Sequence, residues 1–293
     1  MFEWGIGVVR DIAESAKWYR AAAELGDAES QKKLGDIYSG DCFGESAAVK
    51  DLAEAARWYR RAAENGDSEA QKKLGDMCYC GNGVTQDYSE AAKWYLKAAM
   101  RVDELFDSCD MFFYLCSMYF HGCGVCRDYN EAYKWFAALC KSSSSLLMYR
   151  GLIDEIVGWF QNAAEQGDSI AQKILGDIYY GGKGVPQNYS LAAQFYREAG
   201  DQGDMHSQKK LADMYRFGNG VGRDCDEALK WYMKAASQGD IESAAELGDM
   251  YYGGEGIPQN YTLAAKWYQM AADQGDEEAK ESLEEIRDLL KRR

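Results

Sequence analysis

The chain copies itself, and that constrains its fold more than any other feature. Trp159, Phe195, Trp231 and Trp267 follow one another at intervals of 36 residues, each inside the same surrounding pattern. A fixed period in the range of about 20 to 50 residues is the mark of stacked supersecondary units. Around the aromatic residue run "AAKWYLKAA" (91–99), "ALKWYMKAA" (228–236) and "LAAKWYQMAA" (263–272), and each period also holds a second segment such as "AQKILGDIYYGGKGVPQNY" (171–189). One period therefore contains two segments.

Both segments read as helices, because their apolar residues recur at helical spacing and not in the alternation of a strand. Tyr88, Ala91, Ala92, Tyr95, Ala98 and Ala99 fall on one stripe, and Tyr261, Ala264, Ala265, Tyr268, Ala271 and Ala272 repeat it. In the other segment Ile174, Leu175, Ile178 and Tyr179 form the apolar face. A small residue follows its Leu in each copy: Gly35, Gly75, Gly176, Gly248 and, once, Ala212. Glycine inside a helix costs about 1 kcal/mol relative to alanine. Its recurrence predicts a neighbouring helix packed too closely for a larger side chain.

The connections carry matching chemistry. Gly26, Gly66, Gly167, Gly203, Gly239 and Gly275 sit where the aromatic helix should stop, in the left-handed cap that glycine adopts without penalty. Asp27, Asp67, Asp168, Asp204, Asp240 and Asp276 follow, placed to accept the free amides of the next helix. The longer loops "GNGVTQD" (81–87), "GCGVCRD" (122–128), "GNGVGRD" (218–224) and "GEGIPQN" (254–260) also end in a capping Asp or Asn. Asp51, Asp87, Asp128 and Asp224 each have a Glu three residues on, the spacing of a capping box. Asn188 and Asn260 open glycosylation sequons but occupy the same cap position, so capping is their expected role.

The "LGDxY", "GxGVxxDY" and "EAAxWYxxAAxxGD" blocks, as in Leu74–Asp76, Gly81–Asp87 and Glu90–Ala99, resemble those of Sel-1-like repeat proteins, relatives of the tetratricopeptide repeats. The resemblance implies an all-α fold: a right-handed superhelical α/α solenoid of antiparallel helix pairs, used mostly as an adaptor or scaffold for other proteins. The repeats read as a half-unit at 1–26, units at about 27–66, 67–102 and 103–141, a degenerate unit at 142–167, and units at 168–203, 204–239 and 240–275. Together they form a solenoid over 1–276, read as one elongated unit. Residues 277–293 lack the aromatic block and suit a charged cap helix.

Charge narrows the partners. A net charge of -15 works against nucleic acid and anionic membrane as main partners and favours a protein with a basic surface. No apolar run of about 18 residues is present, so membrane insertion is not expected, and the chain is read as a monomer or an edge-mediated oligomer. "GIGVVRD" (5–11) aligns with "GNGVTQD", so the first unit lacks a leading helix, either because the chain opens mid-repeat or because upstream sequence is missing. Residues 1–20 show no signal peptide, although a missing upstream segment could carry one; the expected location is cytoplasmic.

The repeat breaks down once, between about 101 and 157, where "MFFYLCSMYFHGCGVC" (111–126) is unusually apolar. Phe112, Phe113, Tyr114, Phe120 and His121 are either locally buried as the repeat drifts or form a partner-specific surface. Cysteine usage is concentrated here too: seven of nine cysteines lie between Cys78 and Cys140, and an odd number cannot all pair internally. Cys78 and Cys225 take positions held by Tyr in other repeats, and Cys116 takes the small-residue position, which suits buried reduced thiols better than a disulfide framework. His121, Cys123 and Cys126 form half of a zinc-binding pattern without a second close pair, so no metal is assigned and no cofactor is expected.

Enzyme signals are sparse. His121 and His206 are the only possible imidazole bases, and Ser30/Lys33 and Ser207/Lys210 are copies of the ordinary repeat helix, not a penicillin-recognising motif. The expected function is a non-catalytic protein–protein interaction scaffold. Alternatives are a regulatory or inhibitory protein of the immunity or effector kind that sequesters one partner, and a weak hydrolase of the cysteine-rich repeat type. By analogy with related repeats, the first helix of each pair lines a concave binding face. That face would carry Asp36, Asp76, Asp177, Asp213 and Asp249, with the lysines at 32, 33, 72, 73, 209 and 210.

Overall fold

The computed structural model describes residues 12–40, 50–101, 109–142 and 149–291. Fifteen α-helices account for nearly all of these, and no strand occurs among the described residues. The chain divides into two compact units, Met1–Tyr149 and Arg150–Arg293. The aligned opening loop at 5–11 lies outside the described residues.

The first unit holds α1 (Ile12–Glu24), α2 (Ala28–Ser39), α3 (Leu52–Glu64), α4 (Ser68–Cys80), α5 (Tyr88–Ala99), α6 (Cys109–His121) and α7 (Tyr129–Ser142). The second holds α8 (Arg150–Glu165), α9 (Ser169–Gly181), α10 (Tyr189–Asp201), α11 (Met205–Phe217), α12 (Cys225–Ser237), α13 (Ile241–Gly253), α14 (Tyr261–Asp273) and α15 (Glu277–Lys291). Helices adjacent in sequence pack on each other within each unit. We call α2, α4, α6, α9, α11, α13 and α15 the A helices and the aromatic ones the B helices. The sequence irregularity falls at the unit boundary, where the B helix α7 is followed in the described chain by the B helix α8.

Each turn from a B helix to an A helix follows the predicted chemistry. Gly26, Gly66, Gly167, Gly203, Gly239 and Gly275 have φ between 88° and 101°, a left-handed conformation that side-chain-bearing residues rarely adopt. The aspartate after each glycine accepts from the third amide on, as in Ser30 N to Asp27 at 2.8 Å and Ala279 N to Asp276 at 3.1 Å. The A-to-B loops are capped in the same way, and Asn188 and Asn260 accept from Leu191 N and Leu263 N at 3.1 and 3.0 Å. The glutamates of the expected capping boxes do other jobs: Glu131 and Glu227 pair with Lys134 and Lys230 on their own helices. Glu54 and Glu90 accept from the indole Nε1 of Trp58 and Trp94, which fixes the rings that enter the core.

The close-approach expectation also holds. A Cβ added at Gly35, Gly75, Gly176 or Gly248 would lie 2.4, 2.6, 2.5 or 2.6 Å from ring carbons of Tyr59, Tyr95, Tyr196 or Tyr268 respectively. Tyr59, Tyr95, Tyr196 and Tyr232 are among the largest fully buried side chains, and removing a buried aromatic of this kind costs about 3–5 kcal/mol. Cys116 and Cys78 are buried as expected for small hydrophobes, and burial pushes the Cys78 thiol up to about 11. The charged C-terminal segment forms α15, which seats Ala279, Leu283 and Ile286 in the core.

Buried amides add a feature that the repeat pattern did not announce. Gln31, Gln71, Gln172 and Gln208 donate from their side chains to the carbonyls of Ala23, Ala63, Ala164 and Gly200 at the ends of the preceding B helices. Three of them then accept from an amide at the end of the B helix of their own repeat: Asn65 to Gln31, Gln202 to Gln172 and Gln238 to Gln208, at 2.9, 2.6 and 2.8 Å. Each glutamine thus ties its repeat to the preceding one, adding a second donor to a helix-end carbonyl that already accepts the amide of the following glycine.

Candidate functional site

The A helices place their charged residues in one repeating register. Asp36, Asp76, Asp177, Asp213 and Asp249 accept hydrogen bonds from the hydroxyls of Tyr59, Tyr95, Tyr196, Tyr232 and Tyr268, at 2.8, 2.8, 2.8, 2.5 and 2.5 Å. The rings of Tyr59, Tyr95, Tyr196 and Tyr268 also cover the helix glycines, so one side chain both fills the space and supplies the donor. Each aspartate of the expected binding row therefore has one carboxylate oxygen committed inside its own repeat. Asp249 is exposed and the other four are half-buried.

Cations complete the row and tie one A helix to the next. Lys32 pairs with Glu69 at 2.9 Å, Lys73 with Asp36 at 2.6 Å and Lys209 with Glu242 at 2.7 Å. Lys72 pairs within its helix with Asp76 at 3.3 Å, and His206 Nε2 lies 3.1 Å from Asp177 Oδ1. Burial raises the Asp76 carboxyl above its ordinary range in spite of Lys72 and the Tyr95 bond. Burial acts on Asp177 in the same direction, but the bonds to His206 and Tyr196 outweigh it and the carboxyl is lowered.

The irregular α6 carries different chemistry at the same register. Phe113 and Tyr114 occupy the positions of Lys72 and Lys73, and both are partly exposed. Tyr114 packs on Tyr79 and Tyr95, with ring centroids 4.4 and 6.0 Å apart. Phe112 and Phe120 have another fate. Both are buried, Phe112 stacked on Trp135 and Phe120 on Tyr129, so their surfaces are already used by the core and neither is presented to a partner. His121 is exposed with its ring edge-on to Phe120, and Cys123 and Cys126 are exposed in the following loop. Among the described residues no group of three or more His, Cys, Asp or Glu side chains is arranged to hold a metal ion.

On α13, in the second unit, the row turns acidic. Where α4 has Gln71, Lys72 and Lys73, α13 has Ala244, Ala245 and Glu246. Glu242, Glu246, Asp249, Asp276 and Glu278 line a cavity of about 350 Å³ between α13 and α15, together with Tyr268 and Ser282. Arg216, 9% exposed, bridges Glu246 and Glu255 beside it. Burial raises the Glu246 carboxyl against the attraction of Arg216. Arg216 stands where α4, α6, α9 and α13 carry Tyr79, Phe120, Tyr180 and Tyr252, a substitution visible in the sequence only after the repeats are aligned.

Stacked pairs of antiparallel helices, with small residues facing buried rings, define the α/α solenoid class. The Sel1 repeat family model matches residues 1–27, 28–67, 68–103, 113–144, 157–168, 169–204, 206–240 and 241–276, so this chain belongs to the Sel1 repeat family, whose members generally act as protein-interaction scaffolds. Among solved structures it is similar to a protective antigen of uropathogenic Escherichia coli displaying an SLR fold. That match has 30% identity over 95% of this chain and 61% of the antigen, with a TM-score of 0.43; the chain thus spans less than two thirds of that protein. A Sel1 repeat protein from Oxalobacter formigenes is 28% identical over 90% of this chain and 100% of its own, with a TM-score of 0.39. An immunity protein from Pseudomonas aeruginosa is 16% identical over 84% of this chain and 81% of its own, with a TM-score of 0.35. No curated protein matches the chain. No helix among the described residues is long and apolar enough to cross a membrane.

Proposed function

We propose that this protein is a non-catalytic cytoplasmic adaptor that captures partner proteins along the A-helix rows of its two units. The observation that carries this reading is the change of side chains on a constant backbone register. The two positions of Lys72 and Lys73 hold Lys32 and Lys33 on α2, Phe113 and Tyr114 on α6, Lys209 and Lys210 on α11, and Ala245 and Glu246 on α13. A repeated frame with varied side chains suits recognition, since identical repeats carry little information to separate one partner from another. Asp36, Asp76, Asp177, Asp213 and Asp249 supply the acidic register, while Phe113, Tyr114 and His121 give selectivity.

The acidic cavity of the second unit favours a more specific form of the same reading, in which one basic partner is held in a fixed complex. Capture on the immobilised full chain tests both. Replacing Phe113 and Tyr114 by Ala should reduce recovery of the bound protein at least tenfold, and Glu242→Lys with Glu278→Lys should do so for a basic partner, with helicity unchanged. Undiminished recovery by both folded variants would move the site off the A-helix rows. A single partner at 1:1 stoichiometry supports sequestration, and several competing partners support the adaptor.

A further inference from the structure

At four of the six described connections from an A helix to a B helix, the end of the A helix and the start of the B helix carry a packed pair of rings. Tyr79/Tyr88, Phe120/Tyr129, Tyr180/Tyr189 and Tyr252/Tyr261 have centroids 5.1, 4.8, 5.1 and 5.6 Å apart. Between α11 and α12 the two positions hold Arg216 and Cys225, and Arg216 is buried there in its ion pairs. Between α2 and α3 the positions hold Ser39 and Leu52, and no ring is supplied by either. A cavity of about 380 Å³ opens at this place, lined by Ser39, Leu52, Tyr59, Lys73, Asp76 and Met77 among others. This is within the size range of small-ligand sites, about 300–1,000 Å³.

From this gap we infer that the first unit contains a receptor for a tyrosine side chain of a partner protein, a subsite that rests on the interaction reading above. The other repeats define the chemistry of the missing group. Tyr252 donates its hydroxyl to Glu285 at 2.8 Å, and Tyr79 is hydrogen-bonded to Ser117. Glu285 and Ser117 take, on their A helices, the position that Asp76 takes beside the cavity. Lys210 lies 5.7 Å above the Tyr180 ring, and Lys73 is its counterpart here. An entering phenol therefore meets a cation for its ring face and a carboxylate for its hydroxyl. Asp76 already accepts from Tyr95 and Lys72, on different oxygens, and a carboxylate has room for a further donor.

The test uses p-cresol as the probe, titrated into the full chain labelled with carbon-13 at its methionine methyl groups and read at Met77. A saturable shift is expected, with toluene, which lacks the hydroxyl, at least threefold weaker. The variant Ser39→Tyr/Leu52→Tyr restores the internal ring pair and should weaken p-cresol at least tenfold without loss of helicity. Should that variant not fold, Ser39→Phe serves in its place with the same expected loss. No saturable shift at Met77, or an unchanged curve in a folded filled variant, overturns the receptor. Partner capture is read separately on the filled variant: a tenfold fall supports the subsite, whereas undiminished capture overturns it and leaves the adaptor reading standing.

Discussion

The helix pairs α4–α5 and α6–α7 follow one another in the first unit and solve the same packing problem with different chemistry. In α4–α5 the glycine at 75 admits the ring of Tyr95, whose hydroxyl donates to Asp76. In α6–α7 the corresponding residues are Cys116, Phe136 and Ser117, and Cys116 and Phe136 are fully buried. The phenol hydroxyl and the carboxylate are absent together, while a fully buried ring and a small residue remain at the corresponding positions. The steric fit is thus the constant of the repeat, and the polar bond is needed only where one of its members is present. An unpaired buried donor or acceptor costs about 1–3 kcal/mol, whereas removing both partners can be nearly neutral.

The sharpest way to break this comparison is to remove the constant part. Gly176→Leu should cost about 1–3 kcal/mol through overpacking against Tyr196 and lower the melting temperature by several degrees. A variant melting with the parent would refute the steric role of the glycine row.

The polar part should behave as a coupled unit of smaller size. Tyr95→Phe and Asp76→Ser are each expected to cost about 1 kcal/mol, and the double variant about 1 kcal/mol less than their sum. Denaturant unfolding of all four proteins in the cycle measures the coupling. Strict additivity would separate the hydroxyl from the carboxylate.

Proton binding distinguishes the two units at equivalent aspartates. The Asp76 carboxyl is raised, so its favourable contribution is complete below the ordinary value of 3.8 and is lost as pH rises through the raised folded value. Asp177 is lowered, so its contribution is complete above 3.8 and is lost as pH falls through the lowered folded value. From pH about 3 to about 6, Asp76→Asn should therefore gain stability relative to the parent and Asp177→Asn should lose it. Parallel pH profiles for the two variants would count against the different environments assigned to them. The smallest effect is expected at Lys173→Ala, on the half-buried charged face of α9, which should stay within about 0.5 kcal/mol of the parent.

Much of the architecture is legible in the chain because its determinants are local. The glycine that ends each B helix and the aspartate that caps the next A helix act over three or four residues, and spacing alone places them. The small residues after Leu34, Leu74, Leu175 and Leu247 also announce a close neighbour, since glycine would otherwise weaken the helix. The candidate site is less legible. Asp36 and Asp76 read from sequence as members of a partner-binding face, but their tyrosine donors stand on the adjoining helix, 23 and 19 residues away in the chain.

By itself, then, the sequence determined the helix pairs, their caps, the family and the row on which charged residues recur. These follow from a period, from backbone conformations open to glycine, and from hydrogen bonds within one turn. Only the tertiary structure decided which members of that row remain exposed. Phe112 and Phe113 are neighbours of the same residue type, yet packing against Trp135 buries the first while the second stays at the surface. The tertiary structure also decided that Ser39 and Leu52 leave a cavity, whereas Arg216 is buried in ion pairs with residues from the next A helix, α13, and the loop after it. The physical reason is common to both cases: burial is a property of what the neighbouring helix brings to a position, and that neighbour is distant in the chain.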